Sequence, residues 1–239
     1  MPAQGGISGP TARGRPPVPL SSRERARIVT TASANRPSIW RWRVVDIVTA
    51  AVLGVASGVL FWAWGLAWTP LSTLLAFSPG LSGLLAGGWL FAGVLGGLVI
   101  RKPGAAVFTE VVAATVSALI GTQWGFETLI WGAIEGLGAE LIFAVLLYRV
   151  WAFWVAPLAG AGAGVAVAIL DTNFSSIAGF DPTAKLIYAV SAVVSGAVVG
   201  VLSWLAVRAL ARAGALNRFA AGRRSVAAEA GAERVTSAS

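Results

Sequence analysis

The chain has 239 residues, of which 56% are hydrophobic and 12% are charged, and its net charge is +8. A soluble domain carries about 25% charged residues, so this composition, with a mean hydropathy of +0.77, indicates an integral membrane protein. Because the chain has no cysteine and no histidine, disulfides, thiolate chemistry and histidine-dependent metal or nucleophilic mechanisms are excluded.

The two ends of the chain differ in composition from its centre. Residues 1–39 are rich in Pro, Arg and Ser and contain no apolar run of the kind found in a signal peptide. We therefore expect residues 1–39 to form a disordered basic cytoplasmic tail, and residues 213–239 to form a second cytoplasmic tail. Between them, residues 40–212 are predicted to form an all-α membrane domain of six helices.

Six apolar segments follow one another, against about 20 residues needed to cross a bilayer. They are 44–66, 71–100, 104–121, 127–148, 151–171 and 184–207. The second segment is too long for one straight helix, and Pro79-Gly80 divides it, since proline removes a helix hydrogen bond and clashes with the preceding turn. We expect a short outer segment at 71–78 and a crossing helix at about 81–100.

Seventeen of the 18 basic residues lie before the first segment, in alternate loops or after the last segment, with Lys185 as the exception. Short loops rich in Lys and Arg remain cytoplasmic, so both termini are predicted to be cytoplasmic. The outer face would then consist of the 67–70 turn and the 122–127 and 171–184 loops. Positive charge in tails and inner loops favours contact with anionic lipid over contact with nucleic acid.

Four carboxylates fall inside the apolar segments: Asp46, Glu110, Glu135 and Glu140. An acid within a membrane costs about 2.5–3.5 kcal/mol on insertion scales and is by default a functional candidate. Asp46 lies three residues from Arg43 and is expected to form a local ion pair. The alternative for the other three is a protonated acid that is hydrogen-bonded to a neighbouring helix.

Helical spacing places aromatic residues beside these acids. Glu110 and Trp124 share one face of the third helix, and Glu127, Trp131 and Glu135 form a stripe on the fourth. Three further indoles end the first helix on the same side: Trp62, Trp64 and Trp68. An outward cleft of indoles and acids without a base suits a cationic aromatic ligand. The alternative for the stripe is ordinary helix packing.

Small residues recur every fourth position on the first helix, at Ala50, Gly54 and Gly58. Such a strip allows another helix to approach closely, but it more often holds a bundle together internally. The chain has no P-loop sequence, so a solute that crosses would draw on a gradient or on another subunit. We expect no enzyme activity, no catalytic residue, no cofactor and no metal site.

Several ordered segments of the chain resemble a known family, over about residues 40–222. They are 42–46 (WRVVD), 96–106 (GGLVIRKPGAA) leading to Thr109-Glu110, 123–125 (QWG), 136–140 (GLGAE), and 208–212 (RALAR) with 214–216 (GAL). The family is that of the S components, the substrate-capture subunits of energy-coupling-factor (ECF) vitamin transporters. The chain most resembles the YkoE type, which is linked to thiamine or its hydroxymethylpyrimidine precursor.

This resemblance implies a six-helix protein of the bacterial plasma membrane that binds a vitamin from outside. It would dock on a transmembrane coupling (T) subunit driven by two cytoplasmic ATPase subunits, through Ala50, Gly54 and Gly58. The ligand contacts implied by the family motifs are Glu110, Gln123, Trp124 and Glu140. The alternative function is a stand-alone proton- or cation-coupled carrier that uses the same glutamates as a relay, although no inverted repeats are evident.

Overall fold

The computed structural model describes Ser21, residues 40–216, Phe219 and Ala221. The two predicted tails therefore lie almost entirely outside the described residues. Six α-helices occur in the described part, and we number them in chain order. They are α1 (Val44–Leu74), α2 (Gly87–Ile100), α3 (Ala105–Ile120), α4 (Thr128–Val145), α5 (Val155–Phe174) and α6 (Pro182–Arg212).

Most of these helices are long and apolar enough to cross a membrane. Five such stretches lie within the described residues: Val44–Leu74, Pro79–Ile100, Gly125–Val145, Val155–Phe174 and Pro182–Arg212. The remaining helix, α3, has 16 residues and so rises about 24 Å at 1.5 Å per residue. The expected all-α membrane fold with six helices is confirmed.

The separate outer segment expected at 71–78 is wrong. Residues 71–74 continue α1, which contains Pro70 without ending there. A transmembrane helix tolerates an internal proline because its surroundings re-satisfy the released backbone groups. Pro79 instead begins a 3-10 helix, Pro79–Leu85, that leads into α2. This 3-10 helix packs against α6.

Glycines allow α5 and α6 to cross with their backbones in contact. A Cβ added at Gly160 would overlap the carbonyl oxygen of Gly196, and a Cβ added at Gly196 would overlap that of Gly160. These small-residue positions therefore hold the bundle together, which is the usual role of such strips in membrane helices.

The strip of Ala50, Gly54 and Gly58 faces α3 inside the bundle. Ala50 is fully buried, and a Cβ added at Gly54 would lie 2.7 Å from Val112 Cβ. A Cβ added at Gly58 would lie 2.6 Å from the carbonyl oxygen of Ala113. A strip of small residues accepts any helix that approaches closely, and in the described conformation α3 of the same chain packs on it. This favours an internal packing role, and the docking role of these residues stays a prediction.

Candidate functional site

Four tryptophans meet at one end of the bundle, and we call them the tryptophan cluster: Trp64, Trp68, Trp89 and Trp124. The ring centroids of Trp89 lie 5.4 Å from Trp68, 5.2 Å from Trp124 and 6.4 Å from Trp64. The centroids of Trp68 and Trp124 are 6.0 Å apart. These separations fall within the range of favourable aromatic contacts. The cluster brings together α1, α2 and the loop before α4.

The surrounding backbone fixes the rings of this cluster. Trp64 Nε1 donates a hydrogen bond of 2.9 Å to the carbonyl oxygen of Leu85. Gly88 leaves room for the Trp64 indole, because a Cβ added at Gly88 would overlap the indole ring. The Trp124 ring lies 3.3 Å from a Cβ added at Gly65. Glycines on α1 and α2 are therefore the reason that the rings can approach each other.

Glu110 is enclosed by small residues at the middle of the bundle. It is only 1% exposed, and its Oε2 accepts a hydrogen bond from the Gly93 amide. Its Oε1 is buried and accepts no hydrogen bond from any described residue. A Cβ added at Gly136 would lie 3.0 Å from Glu110 Cβ. One carboxylate oxygen of Glu110 is thus left as an unused acceptor.

Glu135 on α4 links Glu110 to a third acid. It is 6% exposed and interacts electrostatically with both Glu110 and Asp171. We call Glu110, Glu135 and Asp171 the acidic group. In the part of the chain that the structure describes, no Lys or Arg forms an ion pair with any of the three.

Asp171 was missed as a candidate, because the sequence pattern placed it at the start of an outer loop. In the structure α5 continues to Phe174, so Asp171 lies within the helix. Trp131 Nε1 donates to Asp171 Oδ1 at 2.8 Å, and the Tyr188 hydroxyl donates to Asp171 Oδ2. The indole N–H of Trp131 lies in an apolar helix and needs a hydrogen-bond acceptor. A search of the sequence for that acceptor could have identified Asp171.

Glu140 is separated from the acidic group. It accepts hydrogen bonds from the amides of Gly104 at 2.7 Å and Ala106 at 2.8 Å, and from the Tyr148 hydroxyl at 2.6 Å. These contacts cap the start of α3, at the end of the bundle that carries Lys102. Burial raises the pKa of Tyr148, and its hydrogen bond to Glu140 acts in the same direction. These contacts favour a structural role for Glu140, and its expected contact with the ligand stays a prediction.

The other predicted site residues lie near the end of the bundle that carries the tryptophan cluster. Trp62 makes no ring contact with an aromatic residue in the described range. Gln123 is exposed and donates to the carbonyl oxygen of Gly65 at 3.4 Å. Glu127 is exposed in the short 3-10 helix Gly125–Glu127. The structure thus brings Trp64, Trp68 and Trp124 together and leaves Glu127 and Trp62 apart.

Asp46 forms the expected ion pair with Arg43, with 2.7 Å between Asp46 Oδ1 and the guanidinium. This prediction is confirmed, and the hydrogen bond to Asp46 raises the pKa of Arg43. Lys102 makes a second ion pair of 2.6 Å with Asp46 Oδ2 and donates to the carbonyl oxygen of Arg41 at 2.6 Å. Trp42 Nε1 also donates to the carbonyl oxygen of Pro103 at 3.0 Å. These contacts join the start of α1 to the loop between α2 and α3.

A groove of about 380 Å³ lies between α5 and α6, and none of these acids lines it. Its walls are apolar and include the exposed side chains of Ile169, Val190 and Val194. Such walls suit the acyl chain of a lipid better than a polar ligand.

Comparisons with known proteins agree with this architecture. A family model described as "ABC-type cobalt transport system, permease component" matches residues 45–166. A protein of Bacillus subtilis (strain 168), described as an HMP/thiamine permease protein and named YkoE, is 34% identical over 185 residues. That match covers 76% of this chain and 91% of YkoE.

A solved structure is also similar to this chain. The crystal structure of an S component of an ECF transporter superposes with a TM-score of 0.75 at 30% identity, covering 83% of this chain and 99% of that chain. The helical membrane fold and these similarities define a membrane transport protein and not an enzyme. The chain belongs to the YkoE family of ECF-transporter S components.

Proposed function

We propose that this S component captures thiamine or its hydroxymethylpyrimidine precursor from outside the cell. It would then release the ligand inward in a complex with a transmembrane coupling subunit and two cytoplasmic ATPase subunits. The observation that carries this proposal is the acidic group, three buried or half-buried carboxylates with no basic partner among the described residues. The description of YkoE as an HMP/thiamine permease protein supports the choice of ligand.

The charge of the acidic group selects the chemical class of ligand. An anionic vitamin would require a Lys or Arg beside it, and none is paired with the described acids of this group. A carboxylate accepts strong hydrogen bonds from an amine, and the aminopyrimidine ring of both candidate ligands carries an amine. Glu110 offers an acceptor for it, because its Oε1 has no partner within the described chain.

The tryptophan cluster would hold the ring system of the ligand. Indole faces stack on heteroaromatic rings and attract positive charge. We propose that Trp64, Trp68, Trp89 and Trp124 contact the ligand on the outer side of the acidic group. Trp131 and Tyr188 would position Asp171, since both donate to its carboxylate. Gln123 and Glu127 would lie at the rim of the site.

Access to the acids requires a movement at the outer end, because Glu110 is buried. The loop that carries Trp124 begins at Gly121 and continues through Gly125, which have φ of 110° and 57°. Glycine adopts such positive φ values without steric cost. Separation of Gln123 and Trp124 from Gly65 would open the cluster, and we propose this loop as the element that moves.

Ligand titration of the purified protein in lipid nanodiscs tests the proposal. Thiamine and hydroxymethylpyrimidine are each followed by tryptophan fluorescence and by calorimetry. We expect Glu110→Gln and Glu135→Gln to weaken binding at least tenfold, which corresponds to about 1.4 kcal/mol. Asp181→Asn is the matched control, since Asp181 is exposed and caps α6 and asparagine is an equally good cap. A lack of saturable heat with both ligands would overturn the proposal.

Uptake assays in proteoliposomes test whether transport requires the partner subunits. Uptake of thiamine is expected only when the coupling and ATPase subunits and ATP are present. Uptake by this chain alone, driven by a pH gradient, would instead support a stand-alone carrier.

A further inference from the structure

The acidic group leaves two glutamates on closely packed helices without a compensating charge: a Cβ added at Gly136, the residue after Glu135, would lie 3.0 Å from Glu110 Cβ. Glu110 accepts one hydrogen bond, from Gly93, and its other oxygen is unpartnered. Glu135 accepts no hydrogen bond from any residue in the described range, and it interacts with Glu110 on one side and Asp171 on the other. Both glutamates are buried.

Helices α1 to α5 contain no Lys or Arg that could face this pair. α2 contains no charged residue, the only charged residue of α3 is Glu110, and that of α5 is Asp171. α1 contributes Asp46 alone, and its two described ion-pair partners, Arg43 and Lys102, lie at the inner end. α4 adds Glu140, which caps α3.

On α6, the titratable group that faces the acidic group is Tyr188, whose hydroxyl donates to Asp171. Lys185 lies one turn from it, but it forms no ion pair with a described acid. Two ionised glutamates on these packed helices would repel each other and lose their hydration.

We propose that the ligand-free site holds one proton between Glu110 and Glu135, and that a cationic ligand displaces it to the outer solution. This inference rests on the proposed capture function. The exchange balances, because one proton leaves as one positive ligand enters, so the net charge of the buried site is unchanged. The thiazolium ring of thiamine carries such a permanent charge, whereas hydroxymethylpyrimidine does not.

Two consequences follow from this exchange. The affinity for thiamine rises with pH by about tenfold per pH unit over the range in which the proton is bound, because protons and ligand compete for the same carboxylates. The affinity for hydroxymethylpyrimidine stays level over that range, since a neutral ligand leaves the proton in place. The two ligands therefore differ in pH dependence at one site.

Calorimetry of the wild-type protein in two buffers at the same pH measures the exchange. The buffers differ in their heat of ionisation, so a difference between the two binding heats counts the protons released. We expect about one proton per thiamine and none per hydroxymethylpyrimidine. Equal heats for thiamine in both buffers would overturn the exchange while leaving the capture function intact.

A second measurement requires no ligand. Infrared spectroscopy of the reconstituted, ligand-free protein detects the carbonyl stretch of a protonated carboxyl group, which shifts on deuterium exchange. We expect this band at neutral pH in wild type and in Asp181→Asn, and its loss in a Glu110→Gln, Glu135→Gln double variant. The absence of the band in wild type overturns the inference whether or not thiamine binds. Persistence of the band in the double variant places the proton elsewhere and overturns it equally.

Discussion

Trp131 Nε1 donates a hydrogen bond of 2.8 Å to Asp171 Oδ1 and thereby ties α4 to α5 beside the acidic group. The Tyr188 hydroxyl occupies the other oxygen of the same carboxylate. Asp171 therefore has a fixed orientation set by two helices, whereas Glu110 keeps an unused oxygen. This contrast separates a positioning acid from an acid that is available to a ligand.

Replacement of Asp171 by asparagine tests this positioning role. Asparagine keeps one acceptor oxygen but presents an amide group to the second donor, so either Trp131 or Tyr188 loses its partner. Since an unsatisfied buried donor costs about 1–3 kcal/mol, we expect Asp171→Asn to lower thermal stability by that amount and to weaken thiamine binding. Both effects are measured in nanodiscs, by thermal unfolding and by calorimetry.

Trp131→Phe separates the two donors, since it removes the indole N–H and leaves Tyr188 in place. We expect a smaller loss of stability than in Asp171→Asn, because the carboxylate retains one donor. Asp181→Asn makes the same chemical change at an exposed helix cap and is expected to change neither quantity. An Asp171→Asn protein as stable as wild type would contradict the role assigned to this acid.

A second prediction concerns Gly88, which lies beneath the Trp64 indole. Alanine at this position would place its Cβ within the ring, so Trp64 must move and its hydrogen bond to the Leu85 carbonyl oxygen must break. Overpacking of this kind costs about 1–3 kcal/mol. We expect Gly88→Ala to change the intrinsic tryptophan fluorescence and to weaken thiamine binding.

Gly179→Ala is the matched control for this substitution, since a Cβ added at Gly179 meets no atom within 4 Å. We expect it to leave fluorescence and binding as in wild type. If Gly88→Ala bound thiamine with unchanged affinity, the tryptophan cluster could not be the surface that holds the ligand ring.

The sequence predicted the fold well, because apolar length and the distribution of basic residues report directly on a bilayer. It failed at the end of α1, where Pro70 does not end the helix and residues 71–74 remain helical. A proline inside a membrane helix is tolerated through its surroundings, and those surroundings cannot be read from local sequence. For the same reason, the sequence pattern placed Asp171 in a loop, although α5 continues to Phe174.

The candidate site was predicted in part. Helical spacing placed Glu127, Trp131 and Glu135 in one stripe and Glu110 on a face with Trp124. Glu110 and Glu135 are buried and Trp131 contacts Asp171, whereas Glu127 is exposed. Trp89 was missed because its partners Trp68 and Trp124 lie on other elements. The hydrogen bonds by which Glu140 caps α3 were not predicted either, because the amide groups that donate them lie on another element. Contacts between different helices determine the role of residues such as Trp89 and Glu140, and a single sequence does not show which helices are in contact.

A third prediction concerns the ion pairs that Asp46 makes at the start of α1. Lys102→Gln would leave Asp46 with Arg43 alone and release the carbonyl oxygen of Arg41. A hydrogen bond to a charged group contributes about 1.5–3 kcal/mol, so we expect a loss of thermal stability of that size. Asp46→Asn should cost more, because both cations then lose their partner.

Lys185→Gln is the control for Lys102→Gln, since Lys185 makes no side-chain hydrogen bond or ion pair with another described residue. Its effect is expected to stay within about 0.5 kcal/mol. Equal stability of Lys102→Gln and Lys185→Gln would show that the ion pairs do not hold α1 to the α2–α3 loop.

The orientation of the chain in the membrane gives a fourth prediction. Because the protein contains no cysteine, any labelling by a thiol reagent must come from a single cysteine that is introduced by substitution. Phe126 is 71% exposed beside α4, and Arg149 is exposed in the loop between α4 and α5. We expect a membrane-impermeant maleimide to label Phe126→Cys in intact cells, and Arg149→Cys only after permeabilisation, since Arg-bearing loops remain cytoplasmic.

Leu141→Cys adds a test of depth to this experiment. Leu141 is also exposed on the protein surface, but it lies within α4, where lipid would cover it. A thiol in hydrocarbon does not form the reactive thiolate, so we expect no labelling of Leu141→Cys in either preparation. Labelling of Arg149→Cys but not of Phe126→Cys in intact cells would reverse the orientation. The tryptophan cluster would then open to the cytoplasm, and capture of a vitamin from outside would be overturned.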